Sequence, residues 1–517
     1  MLMKAQPDEM QSYLADASNM AGGHVARVVW PESAAEAAAL LHDATQTRTP
    51  VTVAGAGTGI VGGRVPFGGV VLSTQRLNHI GEIVREDGGG RATAEAGVVL
   101  ADFQREVRSK GLLYPPDPTE SSCFLGGTVA TNASGARTFK YGPTRRYVRR
   151  LKVALATGDL LDIRRGEIFA DAGGRVRVTL GGGRSIDARL PSYTMPATRK
   201  HAAGYYVAPG MDLIDLFVGS EGTLGVITET EVSLLAQPEG VLSGVVFFRE
   251  EDGLLAFVRE ARARSLRTRA AAVDSSALTS GASARGLGAS RGELDARALE
   301  YFDEESLKFL RERYPLVPLG AAGAVFFEQE TTGLNEESLT GEWLGLVERH
   351  GALADESWFG TNEHDRAEMR AFRHALPVMV NEWLAQRGQR KVSTDMAVPD
   401  EAFPTMLDFY RETLRASRLA YVIFGHVGDN HVHVNLLPRD DVEQLAAREI
   451  YMRFIRRAVS FGGTVSAEHG VGKIKREYLR ELYGERHLRE MAELKRAFDP
   501  ACVLGRGNIF AEEFLNT

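Results

Sequence analysis

The spacing of apolar and polar residues divides the chain into many short elements. HVARVVW reads as a strand. SAAEAAALLHDATQ is rich in Ala and Leu, and Ser33 with Glu36 predicts a helix opened by a reciprocal capping box. PVTVAG rises as a buried strand into a glycine loop. VVLST and RATAEAGVVL follow as strands, and ADFQREVRSKG as a helix ending at Gly111. A proline-rich turn, YPPDPTE, leads into a run of Gly, Ala, Ser and Thr that reaches YGPTRR. LKVALATGDLLDI and SEGTLGVITETEVSLLA close the first half as strands.

Near residue 240 the pattern changes. GVLSGVVFF, ALEYFD and GAVFFEQET read as strands, and EDGLLAFVREARARS and the segment around SLTGEWLGLVERHG as helices. Arg269 to Arg297 is rich in Ala, Ser, Gly and Arg, which predicts a loop or weak helix. YVIF is a buried strand. From Asn430 the pattern alternates, with His431, His433 and Asn435 on one face and Val432, Val434 and Leu436 on the other. Asp441 to Arg496 is helical apart from FGGTVSAEHGVG, and no tandem repeat is visible.

A chain of 517 residues exceeds one hydrophobic core, so two or three domains are expected. At 44% hydrophobic and 25% charged residues it reads as soluble and globular. The net charge of −7, without a basic face, argues against a nucleic-acid partner. Arg145, Arg146, Arg149 and Arg150 read as a solvated face. The two cysteines, Cys123 and Cys502, cannot supply a disulfide framework or by themselves hold an iron–sulfur cluster, and they fit a reducing compartment. MLMKAQPDEM has no apolar signal core, and no apolar run approaches the roughly 18 residues of a spanning helix. A cytoplasmic protein is expected, with peripheral membrane contact left open.

Three small-residue stretches point to a ligand. GAGTGIVGG, Gly55 to Gly63, contains a literal G-x-G-x-x-G, but that motif works through a helix that follows it directly. Here Pro66, Gly68 and Gly69 oppose a helix and a strand follows. A nest of backbone N–H groups around an anion is the alternative, and five glycines in nine residues exceed what a plain turn needs. PPDPTESSCFLGGTVATNASGARTFKYG would let a flat ligand pack closely, and GSEGTLGVIT is a third tight turn.

FGHVGDNHVHVNLLP holds three histidines within eight residues, and His426 can fold back across the GDN turn onto the polar face of the strand. FGGTVSAEHGVGK holds Glu468 and His469 in a glycine-rich turn. Surface histidines on an edge strand are the plain alternative. The two segments together favour a metal or active site.

In order and spacing these segments resemble the vanillyl-alcohol-oxidase/PCMH flavoprotein superfamily, and within it the FAD-linked D-2-hydroxy-acid dehydrogenase branch, from PESAAEAAAL to DPACVLGRGNIF. The resemblance implies an α+β fold. A PCMH-type FAD-binding domain of two α/β subdomains would span 1–236. A substrate-binding cap with an antiparallel sheet and flanking helices would span 237–460, and a C-terminal segment, 461–517, would complete the active site and FAD domain. Gly55, Ala56, Gly57, Thr58 and Gly59 would bind the pyrophosphate, with Gly62 in the same loop. Pro116, Asp117, Gly126, Thr131, Asn132, Ser134 and Gly135 would lie along the flavin and ribityl. Glu221, Gly222 and Ile227 would hold the adenine side, and Asn508 would return to the isoalloxazine. Ala54, Thr128 and Ser134 stand where Arg, Asn and Gly are common. The first glycine loop has no histidine, so the FAD is expected to be non-covalent, with Cys123 a buried structural thiol.

The same resemblance implies that His426, His433 and Glu468 ligate a divalent metal and that His469 is the catalytic base. Two imidazoles and a carboxylate suit Zn²⁺, with Mn²⁺ or Fe²⁺ open. Arg373 in RAFRHALP, Lys391 in KVSTDMAVP and Asn435 match substrate positions. The family's G-D-G-N-x-H reads GDNHVH here. His431 is therefore either an extra group behind the ligands or a solvent-facing side chain. The implied reaction oxidises a D-2-hydroxy acid of the lactate, glycolate or 2-hydroxyglutarate class. Electrons would pass to an external quinone, cytochrome or electron-transfer flavoprotein, and a homodimer is left open. Two alternatives stand beside it. A flavin-free metal-dependent hydrolase leaves the glycine stretches unexplained. A flavoenzyme of the alkylglycerone-phosphate-synthase type carries a histidine run where Ala467 and Glu468 stand.

Overall fold

The computed structural model describes residues 1–181, 183–277 and 293–515. Its first sheet forms around a β–α–β unit. Strands β1 (Leu2–Lys4), β2 (Arg27–Trp30), β3 (Val51–Ala54) and β4 (Val70–Ser73) lie in the order β1-β2-β4-β3. Strand β4 runs parallel to both β2 and β3, and all four of its residues are buried, which is why VVLS lacks alternation. The helix Ala34–Thr47 crosses between β2 and β3 and packs Ala37, Leu40, Leu41 and Ala44 with Val29, Val51 and Leu72. Ser33 accepts from the Glu36 N–H at 3.2 Å. The predicted capping box is only half formed, because the Glu36 carboxylate accepts from the Glu32 N–H at 2.9 Å.

The second sheet is antiparallel. Its strands are β5 (Ile80–Glu86), β6 (Gly89–Glu95), β7 (Leu112–Leu113), β8 (Val148–Ala154) and β9 (Leu160–Arg164). A separate hairpin, β10 (Arg175–Thr179) with β11 (Ser185–Arg189), precedes the long central β12 (Val226–Ala236). The order is β5-β6-β12-β8-β9, with β7 beside β12. The hairpin, with its period-2 burial, is an element the sequence reading passes over. The arginine cluster differs from expectation. Arg145 is largely buried, donating to the Val218 carbonyl at 2.5 Å with its guanidinium 4.2 Å from the Tyr206 ring centre. Arg150 pairs with Glu229 on the neighbouring β12, and Arg149 with Glu86 on β5.

The third sheet contains β13 (Gly240–Phe248), β14 (Ala296–Asp303), β15 (Gly323–Thr331), β16 (Trp358–Gly360), β17 (Val392–Ser393), β18 (Ala420–Gly425) and β19 (His433–Leu437). They lie antiparallel in the order β16-β13-β15-β14-β18-β19-β17. Helices cover both faces. Val245, Phe247 and Phe326 pack with the helix Glu363–Ala385, while Val246, Phe248 and Phe327 pack with Glu336–Arg349, where Trp343 stacks on Phe327 at 3.8 Å. Burial on both faces explains the unbroken apolar runs. The helix Glu251–Ala277 runs through Arg269, into the stretch expected to be loop or weak helix; residues 278–292 lie outside the described residues. Strand β19 is interior and begins at His433, opposite Phe424, so His431 precedes the strand. The fold is α+β, as expected.

The chain's end returns to its beginning. After the helical run Arg476–Phe498, interrupted at Gly484, Val503 and Gly505 exchange backbone hydrogen bonds with Val51 of β3 at 2.8 and 2.9 Å. Among the described residues no helix is long and apolar enough to cross a membrane.

Buried ion pairs join the second and third sheets. Lys140 lies 2.9 Å from Asp295 and 2.6 Å from Glu330, with its side chain 1% exposed. Arg137 bridges Asp117 at 3.0 Å and Glu328 at 3.2 Å, and Arg297 adds a second cation to Glu328. Removing one partner strands buried carboxylates. Lys140→Met should therefore lower unfolding free energy in urea by about 3–5 kcal/mol. A loss below about 1 kcal/mol, typical of an exposed pair, would show that this joint carries no strain of charge.

Candidate active site

The glycine loop leaves β3 and reaches β4 with no helix between them, so the Rossmann arrangement is absent. The loop forms one wall of a cleft of about 350 Å³, within the usual range of small-molecule sites. Gly55, Ala56, Gly57, Thr58, Gly59, Gly126, Thr131, Ser134, Glu221, Gly222, Ile227 and Asn508 all line it. Five other candidate contacts shape the wall from behind. Gly62 sits against Met20, where a Cβ would approach the sulfur to 2.7 Å. The Pro116 carbonyl accepts from Gln104, and Asp117 pairs with Arg137. Asn132 accepts from the Arg145 N–H at 2.9 Å, and Gly135 packs on the Asp117 carbonyl.

A long, flat dinucleotide needs bare backbone on the cleft wall. Gly55, Gly59 and Gly127 provide it: a Cβ at each would meet no protein atom within 4 Å and would stand in the cleft. Asn508 donates to the Gly63 carbonyl at 3.0 Å and accepts from Lys473 at 2.7 Å, tying the C-terminus and the HGVGK turn to the glycine loop. Glu221 is more than a wall residue, since its two oxygens accept the Val471 and Gly472 N–H groups at 2.7 Å each. Burial raises its carboxyl to about 7. Cys123 also lines the cleft, and burial pushes its thiol up to about 12, which suits an inert structural group.

At one end of the cleft the two histidine segments meet. Strand β18 ends at Gly425 (φ +119°), whose missing Cβ lets His433 approach; a Cβ there would lie 2.9 Å from the His433 ring. His426 follows directly and His433 opens β19. Their Nε2 atoms both lie 3.2 Å from Glu468 Oε1. The outward nitrogens are taken, His426 Nδ1 by Glu300 Oε1 at 2.7 Å and His433 Nδ1 by the Thr394 carbonyl at 3.0 Å. Partners on the far side fix a metal-binding imidazole's orientation and leave Nε2 to the ion. His426, His433 and Glu468 therefore suit a divalent cation.

Glu468 is divided between two tasks. Oε1 faces the imidazoles, while Oε2 accepts from Lys200 Nζ at 3.0 Å and Ser134 Oγ at 3.3 Å. Burial favours the protonated acid, but Lys200 and His426 outweigh it and hold Glu468 well below the usual carboxylate range. His469 lines the cleft beside it, with its ring stacked against His433. His469 Nδ1 lies 3.3 Å from Asp395 Oδ2, and Nε2 lies 3.6 Å from Glu468 Oε1. Burial lowers the imidazole to about 4, so the ring is neutral at pH 7.

The substrate candidates take different places. Arg373, on the helix Glu363–Ala385, pairs with Glu300 at 3.0 Å and so lies one carboxylate away from His426. Asn435 is 1% exposed, and neither amide atom has a hydrogen-bond partner. Lys391 is half-buried, has no ion pair among the described residues, and burial lowers its ammonium. His431 is fully buried, which rules out the solvent-facing alternative. Three residues that sequence reasoning did not single out, Lys200, Glu300 and Asp395, support the cluster. None belongs to a patterned run of its own segment, and only contacts far along the chain reveal it.

Comparison with known proteins now gives the site its context. The profile of "FAD linked oxidases, C-terminal domain" matches residues 242–509, and "FAD binding domain" matches residues 25–164. The chain belongs to the FAD-linked oxidase family. It is 28% identical to glycolate oxidase subunit GlcD of Bacillus subtilis (strain 168), over 94% of this chain and 89% of that one. It is also 28% identical to a D-lactate dehydrogenase of Anaerostipes hadrus, over 92% and 88%. A solved alkyldihydroxyacetonephosphate synthase structure shares the fold, with a TM-score of 0.64 and 14% identity, over 97% of this chain and 81% of that one. This FAD-linked oxidase thus has a PCMH-type FAD domain and an FAD-oxidase C-terminal domain, and the glycine-walled cleft fits the cofactor.

Gly127→Leu would place a side chain in that cleft. Overpacking of about 1–3 kcal/mol corresponds to roughly 5- to 150-fold weaker FAD binding. The apo fold, followed by circular dichroism, should persist. Wild-type FAD retention after gel filtration would place the cofactor elsewhere.

Proposed function

We propose that this FAD-linked oxidase converts a D-2-hydroxy acid to the 2-oxo acid. The observation that carries the reading is the convergence of His426, His433 and Glu468 beside His469 at the end of the glycine-walled cleft. The relatives named for glycolate and D-lactate support a small 2-hydroxy acid as substrate. Neither name fixes the tail, so lactate, glycolate and 2-hydroxyglutarate remain one class.

When bound, FAD supplies a hydride acceptor and the divalent ion, with Zn²⁺ first and Mn²⁺ or Fe²⁺ as alternatives, supplies a Lewis acid. The chain's own residues do the rest. His469 takes the hydroxyl proton at Nε2 as general base, because Asp395 faces Nδ1 and steadies the imidazolium that forms. Lys200 and Ser134 hold Glu468 so that Oε1 faces the ion. Asn435 and Lys391, neither committed to a protein partner, are available to the substrate's carboxylate and tail. Arg373 adds positive charge from behind Glu300. The cleft presents no histidine in its first glycine loop and holds Cys123 protonated, which supports non-covalent FAD. Electrons then leave for an external quinone, cytochrome or electron-transfer flavoprotein.

His469→Ala should keep its FAD absorbance while turnover, measured with a dye acceptor, falls about 10²- to 10⁴-fold. Unchanged turnover would remove His469 from the chemistry. Exhaustive chelation should abolish activity, and added Zn²⁺ or Mn²⁺ should restore it. Full activity in protein shown by elemental analysis to lack metal would end the metal reading.

A further inference from the structure

His431 is the residue the reading above leaves unused. It replaces the asparagine of the family's G-D-G-N-x-H pattern, as the sequence shows, and the fold places it inside the protein at 0% exposure. Among the described residues neither ring nitrogen has a partner in good hydrogen-bond geometry. Nε2 comes within 3.1 Å of Asp395 Oδ1, but not in line for a hydrogen bond. Burying an imidazole with neither nitrogen satisfied is costly, and such groups in folded proteins are paired or coordinated.

The surroundings supply the coordination. One ring nitrogen each from His426, His431 and His433 and one Glu468 oxygen all lie within 4.8 Å of one another. Ligands at the usual ~2.0–2.1 Å from a five-coordinate ion stand about 3 Å apart, so the four groups can contract onto one ion and leave a fifth position free. The three imidazoles already surround one point, with ring centres 4.5 Å apart for His431 and His433 and 5.3 Å for His431 and His426. Of the cluster only Glu468 lines the cleft, so His431 approaches from the interior side together with His426 and His433. A ligand from the interior side leaves the cleft side of the ion open.

We propose that His431 is a fourth protein ligand, so that this chain builds a centre of three imidazoles and one carboxylate. The proposal rests on the metal reading above. Asp395 would then act as the partner that orients the ligand ring, as carboxylates commonly do for metal-bound histidines. A third neutral imidazole adds affinity for borderline ions such as Zn²⁺ or Co²⁺ over the oxygen-preferring Mg²⁺ or Ca²⁺.

The test uses the FAD-loaded protein, stripped with chelator and reloaded with Mn²⁺ or Co²⁺ alone. Pulsed EPR of the Mn²⁺ form counts coordinated imidazole nitrogens, and competition with a chelator gives the Co²⁺ Kd. Three nitrogens are expected in the wild type. In His431→Asn two are expected, with a Kd raised about 10- to 100-fold. His431→Gln is a second variant should the first fold poorly, and the wild-type nitrogen count needs no variant at all. Metal bound through two nitrogens in the wild type, or an unchanged Kd in folded His431→Asn, overturns the fourth ligand while leaving the three-ligand site standing. A wild type that binds neither ion overturns both.

Discussion

The active-site turn hangs on one buried carboxylate. Asp395 has no exposed surface, and it accepts from the backbone N–H groups of Glu468 at 3.2 Å and His469 at 3.1 Å. It also accepts from Ser466 Oγ at 2.7 Å and Lys475 Nζ at 2.5 Å, and faces the rings of His469 and His431. An isolated charge in such a place would be driven to its neutral form. Burial does oppose ionisation, but His469 and Lys475 outweigh it and hold Asp395 well below the usual range. The direction of causation matters. The carboxylate needs donors from every side, and Ser466, Glu468, His469 and Lys475 supply them from one segment, which also carries the candidate base and a candidate metal ligand.

That constraint reaches the cofactor cleft through a second carboxylate. Glu221, in the loop before β12, binds the next two N–H groups of the same turn, Val471 and Gly472. Lys473 then reaches the Gly63 carbonyl and Asn508. A single turn is thus held by β17's flank, by the loop before β12 and by the end of the chain. The cofactor cleft and the candidate metal ligands cannot be positioned independently in such an arrangement. A displacement of the turn moves both His469 and the wall facing the glycine loop.

The sequence disclosed those parts whose chemistry is local. The glycine run at 55–63 and the failed helix after it are patterns a few residues long, and the structure has them as read; the strand read from Asn430 begins only at His433, and Asn435 on its polar face is as buried as its apolar neighbours. Strand β4 and the strands of the third sheet were visible as apolar runs because both faces are covered. The supporting charges were not visible. Lys200 meets Glu468 across 268 residues, and Glu300 meets His426 across 126. A lone Lys or Glu carries no periodic signal, so nothing in its own neighbourhood marks it. Arg145 shows the reverse error, since a run of arginines suggests a solvated face, yet a carbonyl cage and an aromatic ring draw this one inward.

Local consistency fails in one place more than elsewhere, and the place is informative. Asp429, His431 and Asn435 are all buried and all lack hydrogen-bond partners for their side-chain polar atoms. They fall within seven residues of chain, between β18 and the middle of β19. A fold selected for stability alone would fill these interior positions with apolar side chains, as β19 does at Val434 and Leu436. Retaining a carboxylate, an imidazole and an amide there costs stability unless a ligand engages them. Lys200, 3.8 Å from Asp429 and 3.0 Å from Glu468, offsets part of the negative charge. It cannot satisfy His431 or Asn435. Those two groups flank the candidate ligand His433 on either side, one toward the protein interior and one along the strand that pairs with Ser393 near Lys391. The pattern of unmet polar atoms therefore matches the two demands that the proposed function makes, a cation at the imidazoles and a polar substrate beside them.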